Sequence, residues 1–265
     1  MDGLSHTKST DKLQPFKTSL LTRMIMLMIV VYIFYSVSSL GLTLDRIIIG
    51  FGESERLLSR MFPPDFSRTN LLLSGVAESL QIAIISSFFG IVISLFIGLL
   101  AARNMMPIIV TAPVRAFIAL CRSFHPVIIA IIFVKAVGFG ALAGILTLIF
   151  ASIGFIAKLF AEAIEEISLK QVEAIRATGA SFFSVIIYAV MPQVFTRFIG
   201  FSSYQLDSNL RNSTMVGIVG AGGLGGTLFS AFQRFDYDFV AAILLTIIAL
   251  ILIGEMLSNI VRRIF

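Results

Sequence analysis

The polar residues Tyr204, Asp207, Asn209, Arg211, Ser213 and Thr214 crowd into one stretch of a chain that is otherwise dominated by apolar runs. A charge inside a bilayer is costly unless it is paired or wetted, so this stretch has to face a protein interior or a water-filled path. Asp207 and Arg211 stand four residues apart, on one face of a helix, where they can neutralise each other. The same face could line a route for a solute, with the guanidinium fork of Arg211 favouring an anion. The two uses are compatible. Immediately afterwards come Gly217, Gly220, Gly222, Gly223, Gly225 and Gly226. Gly220-x-Gly222-x-x-Gly225 has the spacing of a dinucleotide fingerprint, but that fingerprint requires a preceding strand inside a βαβ unit, and here it follows a membrane span. Glycines at this density suit close helix approach and a gate whose backbone opens and shuts a path; a tightly packed static bend is the alternative.

A second polar segment, about residues 158–184, offers a different chemistry, that of docking. Ser168-Leu169-Lys170-Gln171 has the form of a capping box, in which hydroxyl and amide satisfy free N–H groups at a helix start. Gly179 supplies the left-handed stop expected after the helix end, which predicts a helix of roughly three turns outside the bilayer. Val172, Ile175 and Ala177 would present apolar surface, and Glu173 and Arg176 charges. That composition suits a partner's groove and equally an amphipathic loop resting on lipid headgroups.

Other chemistries find no residues to carry them. No nucleophile, base and acid fall into a plausible set, and no Gly-x-x-x-x-Gly-Lys-[Ser/Thr] occurs to cradle ATP phosphates. The single cysteine, Cys121, excludes an intrachain disulfide, and no Cys/His spacing suggests a metal. His125 precedes Pro126 and reads as a kink residue with a satisfied ring in preference to a proton relay. Glu78 and Glu255 read as interfacial anchors at span ends.

The elements that must position these residues are membrane helices. Of the 265 residues 57% are hydrophobic and 13% charged, and the mean hydropathy is +0.98, far too apolar for a soluble domain. Met24–Leu44, Ser79–Ala102 and Ala136–Ala157 carry no charge, and Phe239–Gly254 is bracketed by Asp238 and Glu255. Each run approaches the ~20 residues a spanning helix needs. Ala116–Val134 and Met191–Ser213 are polar-containing candidates that bring the expected number to about six, an all-α polytopic fold. Lys and Arg are scattered over span ends, so the basic pI of about 9.6 reflects topology and not a nucleic-acid partner. Their distribution, with Lys8, Lys12, Lys17 and Arg23 ahead of the first span, predicts both termini in the cytoplasm. The first run exceeds the h-region of a cleaved secretory signal and reads as a signal anchor. Pro63-Pro64 forbids a continuous helix through the external segment Asp45–Ser74. The expected organisation is a basic tail over residues 1–20, a first span and external segment over 21–75, and a core over 76–262.

The sequence Glu173-Ala174-Ile175-Arg176-Ala177-Thr178-Gly179, followed by Met191-Pro192, resembles the EAA loop of binding-protein-dependent ABC importer permeases. Ile175, Ala189 and Met191 depart from that pattern within small or apolar types, while Glu173, Gly179 and Pro192 keep its spacing. Tyr204…Asn209-Leu210-Arg211-Asn212-Ser213-Thr214…Val219-Gly220-Ala221-Gly222-Gly223-Leu224-Gly225 is similar to the signature of the phosphonate-type branch, with Asp207 where Glu is usual and Asn212-Ser213 where Ser-Ala is common. The resemblance implies a type I ABC importer permease fold in the bacterial inner membrane. It further implies that Glu173, Ala174, Arg176, Ala177, Gly179 and Pro192 belong to a loop coupled to an ATPase, two copies of this chain around one path, an ATPase dimer that binds the ATP and Mg, and an external solute-binding protein. Methionine-type permeases share the glycine segment and are the nearest alternative. An ion-coupled secondary transporter would show inverted repeats and more intramembrane acids than Asp207.

Overall fold

The computed structural model describes residues 20–41 and 43–264. The chain separates into two compact units, with the division between Ser59 and Arg60, ahead of the residue 76 expected to open the core. The basic tail, with Lys8, Lys12 and Lys17, lies outside the described residues.

Helices form because a backbone in lipid has no water to bond and must satisfy its own N–H and C=O groups. In the first unit, α1 (Leu20–Ser39) is apolar all round and buries no residue within the chain, the condition of a helix whose solvent is lipid. It stops short of the expected Leu44. α2 (Leu44–Met61), which crosses the unit division in its last turn, is amphipathic. Leu44, Ile47, Ile48, Phe51 and Leu58 share one side, whereas Arg56 bonds Glu53 at 2.6 Å. The expected external segment is thus largely a helix suited to an interface, and Pro63-Pro64 falls in the break that follows it.

The second unit continues with α3 (Thr69–Ala101), α4 (Ile108–Ser123), α5 (Pro126–Val137), α6 (Ala141–Glu165), α7 (Leu169–Ala177), α8 (Phe182–Val185), a π-helical turn Ile186–Val190, α9 (Met191–Ile218), α10 (Gly223–Gln233) and α11 (Tyr237–Ile264). Two expected spans are redrawn. Ala116–Val134 is not one helix: α4 and α5 meet at 93°, because Pro126 has no N–H and forces the residue before it out of the helical region. His125 is accordingly extended, and its Nδ1 accepts the free N–H of Val127 at 3.3 Å, which is the satisfied kink residue expected. Ala136–Ala157 is interrupted around Gly138 and Gly140, and its helix runs from Ala141 to Glu165. Counting the bent pair as one span gives up to six candidates.

Small residues bring α3 and α6 together. α3 buries Gly75, Ser79, Ala83, Ser86, Ser87, Gly90, Ser94 and Gly98, and a Cβ at Gly90 would lie 2.5 Å from Ser152 Cβ. Lipid chains are as apolar as leucine, so helices in a bilayer associate through such close packing and through hydrogen bonds.

At one end of the bundle Arg68, just before α3, pairs with Asp236, just before α11, and stacks over Phe239 at 4.7 Å. The Asp65 N–H donates to Asp238 O at 3.1 Å. The hydrogen bond from Arg68 holds the Asp236 carboxyl below the usual carboxylate range, against the opposing effect of burial. A carboxyl whose pKa is lowered by folding favours the folded state fully above its ordinary value of about 3.9, and that support fades as pH falls through the lowered value. In thermal unfolding of the detergent-solubilised protein, Asp236→Asn should therefore melt below wild type near neutral pH, with the gap closing once pH drops below about 4. A gap that persists unchanged in acid would count against the pairing.

Candidate coupling loop and translocation face

The end of α6 is fastened just ahead of α7. Arg115 of α4 pairs with Glu165 and donates from Nε to Ala101 O at 2.8 Å, while Arg103 N–H donates to Glu165 Oε1 at 2.7 Å. Arg197 of α9 pairs with the next acid, Glu166.

Ser168 is the N-cap of α7, but its hydroxyl makes no capping bond and the expected box with Gln171 does not form. Gln193 of α9 takes its place. Gln193 Oε1 accepts the Ser168 N–H at 2.9 Å, and its Nε2 donates to Ser168 O at 3.5 Å and Ala189 O at 2.8 Å. One amide thereby anchors the start of α7 to α9. It also serves a carbonyl beside Pro192, which cannot continue the helical ladder; the widened π turn ahead of Pro192 relieves the clash a proline makes with the preceding turn.

The orientation of α7 corrects the apolar docking face read from the sequence. Val172 is 2% exposed and packs with Met105, Phe160, Ile164, Val190 and Val194, and Ile175 packs against the same cluster. These residues seat α7 on its own chain. Glu173, Ala174, Arg176 and Ala177 point outward and are exposed. Gly179 closes the helix with φ +78°, a left-handed stop that spares any side chain a steric penalty.

The polar residues of α9 divide among three surroundings. Asn209 is fully buried: its Nδ2 donates to Ser87 Oγ at 2.9 Å and Ser152 Oγ at 3.1 Å, and its Oδ1 accepts from Gln205 Nε2 at 2.9 Å. Gln205 also reaches Ser152 Oγ at 2.9 Å. Ser213 and Thr214 are buried too, with their hydroxyls donating to Leu210 O and Arg211 O. Asn209, Ser213 and Thr214, expected on the path, thus face the chain's own core. Asp207 faces a mainly apolar cavity of about 410 Å³ between α3, α9 and α11; Oδ2 meets Arg211 Nη2 at 3.3 Å and Oδ1 has no hydrogen-bond partner among the described residues. Tyr204 and Arg211 lie on the open side, together with Met215 and the half-exposed Ser208. Ser208 and Met215 were not singled out, although their spacing from Tyr204 and Arg211 (three or four residues) places them on that stripe. Gln205 was missed as well, being neither charged nor part of any quoted motif.

The glycines make the crossing of α9 and α10. A Cβ at Gly225 would lie 1.9 Å from Thr214 O, and one at Gly217 would lie 2.3 Å from Gly222 O. Gly222 turns the chain with φ +84°, and Gly223 abuts Ser79 of α3. Ser79 Oγ then accepts the Leu224 N–H at 2.9 Å, while Gly220 O accepts the Gly140 N–H at 2.9 Å.

Residues 90–265 match the model of the binding-protein-dependent transport system inner membrane component. The chain belongs to that family. A phosphite transport system permease protein, PtxC of Stutzerimonas stutzeri, is 39% identical to this family member over 217 residues, covering 82% of this chain and 79% of its own. The phosphate-import permease protein PhnE of Mycolicibacterium smegmatis is 38% identical over 208 residues, or 78% of this chain; that stretch is 39% of the mycobacterial protein's length. Among solved structures, an inward-facing MetNI methionine ABC transporter chain superposes with a TM-score of 0.66 at 27% identity, covering 76% of this chain and 99% of the other. The fold is that of the type I ABC importer permeases.

The tight crossing yields a stability test. Gly225→Ala drives a Cβ into the Thr214 backbone, which cannot step aside as a side chain could, so a loss of about 1–3 kcal/mol or more is expected. Gly200→Ala, with nothing within 4 Å of the added carbon, serves as the control. Thermal unfolding by size-exclusion in detergent should show a lowered midpoint for the first and none for the second.

Proposed function

We propose that this chain is the membrane permease subunit of an ATP-driven importer for a phosphorus oxyanion, a phosphonate, phosphite or phosphate. The observation that carries this is the kinship with permeases named for phosphite and phosphate transport over most of this chain. The exposed guanidinium of Arg211 supports it, since a planar fork of donors suits a tetrahedral oxyanion. Two copies would enclose the path between their open α9 faces, Tyr204, Ser208, Arg211 and Met215 lining it and the Gly217–Gly225 crossing forming its gate. A solute-binding protein delivers the anion on the outer side. An ATPase dimer on the cytoplasmic side binds ATP and Mg, and no cofactor resides in this chain. Both termini are cytoplasmic, which puts α7 on the same side as the ATPase and the Arg68–Asp236 pair outside.

In this scheme nucleotide-driven closure of the ATPases moves the outward face of α7, Glu173, Ala174, Arg176 and Ala177, and different affinities for substrate in the two states give direction. The methionine reading rests on the 27% identical solved structure, which carries fold more than cargo. Two measurements test the proposal. Glu173→Arg should abolish copurification of the ATPase while the protein remains membrane-inserted; wild-type recovery of the ATPase would refute the docking role. Proteoliposomes holding permease, ATPase and binding protein should take up phosphite, methylphosphonate or phosphate only with ATP, and uptake of methionine instead would overturn the substrate class.

A further inference from the structure

We infer that a second anion site lies between α4 and α6, on the half of the bundle nearer the coupling helix, and that it takes the phosphate-type headgroup of a tetrahedral phosphorus oxyanion. The inference rests on the substrate class proposed above and names where such an anion is held away from α9. A cavity of about 230 Å³ opens there, lined by Arg115, Ile118, Arg122, Lys158, Ala161 and Glu162. With ~30 Å³ as the share of one liquid water, it has room for a tetrahedral oxyanion and part of its hydration shell. The lining is regular: Arg115, Ile118 and Arg122 recur at helical spacing on α4, opposite Lys158, Ala161 and Glu162 on the antiparallel α6.

The charges in this cavity do not cancel. Arg115 is committed to Glu165 and to Ala101 O. Lys158 meets Glu162 at 3.4 Å, a loose pair with each side chain nearly half exposed, and such pairs contribute little and exchange partners readily. Arg122 makes no ion pair or hydrogen bond among the described residues. Arg122 is exposed, but its place along the bundle makes the missing partner notable. A Cβ at Gly154 would lie 2.9 Å from Arg122 Cγ and 3.1 Å from Arg122 N, which pins this part of α4 to the middle of α6, about 16 Å of helix rise from Glu165. A guanidinium at that depth persists where it meets water or a counter-charge. An anion entering the cavity would accept the Arg122 fork and draw Lys158 from Glu162, converting the free charge and the loose pair into two charge-assisted bonds.

The same oxyanion chemistry comes from two sources, the transported solute and the phosphate of a lipid, and the test separates them. The permease–ATPase complex, without binding protein or nucleotide, would be titrated with phosphite, methylphosphonate and phosphate, and its retained lipids read by native mass spectrometry after purification in phosphatidylglycerol or in phosphatidylcholine. Arg122→Gln should weaken solute binding at least about tenfold, with Arg122→Lys, which keeps the charge and loses the fork, restoring only part of it and Lys158→Gln weakening it less. If instead Arg122→Gln sheds bound phosphatidylglycerol while solute binding holds, the site stands with a lipid phosphate as its occupant. Binding of both solute and lipid unchanged in Arg122→Gln and in Lys158→Gln overturns the inference. Wild-type protein that imports none of these anions would sink the proposed substrate, a result distinct from variants that bind as wild type does.

Discussion

Within the bundle, the rotation of α9 about its own axis is set by one buried set of hydrogen bonds. Ser87 of α3, Ser152 of α6 and Gln205 and Asn209 of α9 satisfy one another where no water can substitute. Breaking such a set leaves an unpaired amide inside a membrane protein, so the arrangement admits little slip. Hydrophobicity alone would not supply this constraint, because lipid is as good a solvent for Leu and Phe as another helix is.

Much of what faces outward on α9 follows from that orientation. With Gln205, Asn209 and Ser213 turned inward at i, i+4 and i+8, the open stripe has to be the one carrying Tyr204, Ser208, Arg211 and Met215, and Asp207 is left at the flank beside α11. α10 then fits across α9 only because Gly217 and Gly225 have no side chains, and Ser79 accepts the N–H of Leu224 in its first turn. Local sequence, packing and exposed chemistry are here one chain of cause.

The spans were legible because lipid imposes a long uncharged run that few other contexts demand, and α3, α6 and α11 lie close to where such runs occur. Helix ends were less so. Pro126 betrayed a break inside Ala116–Val134, yet the 93° bend depends on tertiary contacts. Ser168 carried a genuine capping pattern, but Gln193, distant in sequence, supplied the cap, which no local motif can foretell. Residue type marked α9 as polar without saying which polar groups bond to each other. Asn209 and Arg211 look equally suited to a path in one dimension, and only the positions of Ser87 and Ser152 tell them apart. On α7 the charged residues were legible as an outer face, whereas Val172 and Ile175, apolar at helical spacing, turned out to be the root of the helix.

That root has a mechanical consequence. A loop tethered only by its ends would absorb a push by changing shape, as a slack cable does. α7 has its apolar side sunk among Met105, Phe160 and Val194 and its first turn bonded to Gln193, so it has no slack to give. A force applied to its outer surface would pass to α9 as through a rigid crank. In the importer proposed above, a stroke delivered at one membrane face would thereby be carried into the bundle instead of being dissipated where it is received.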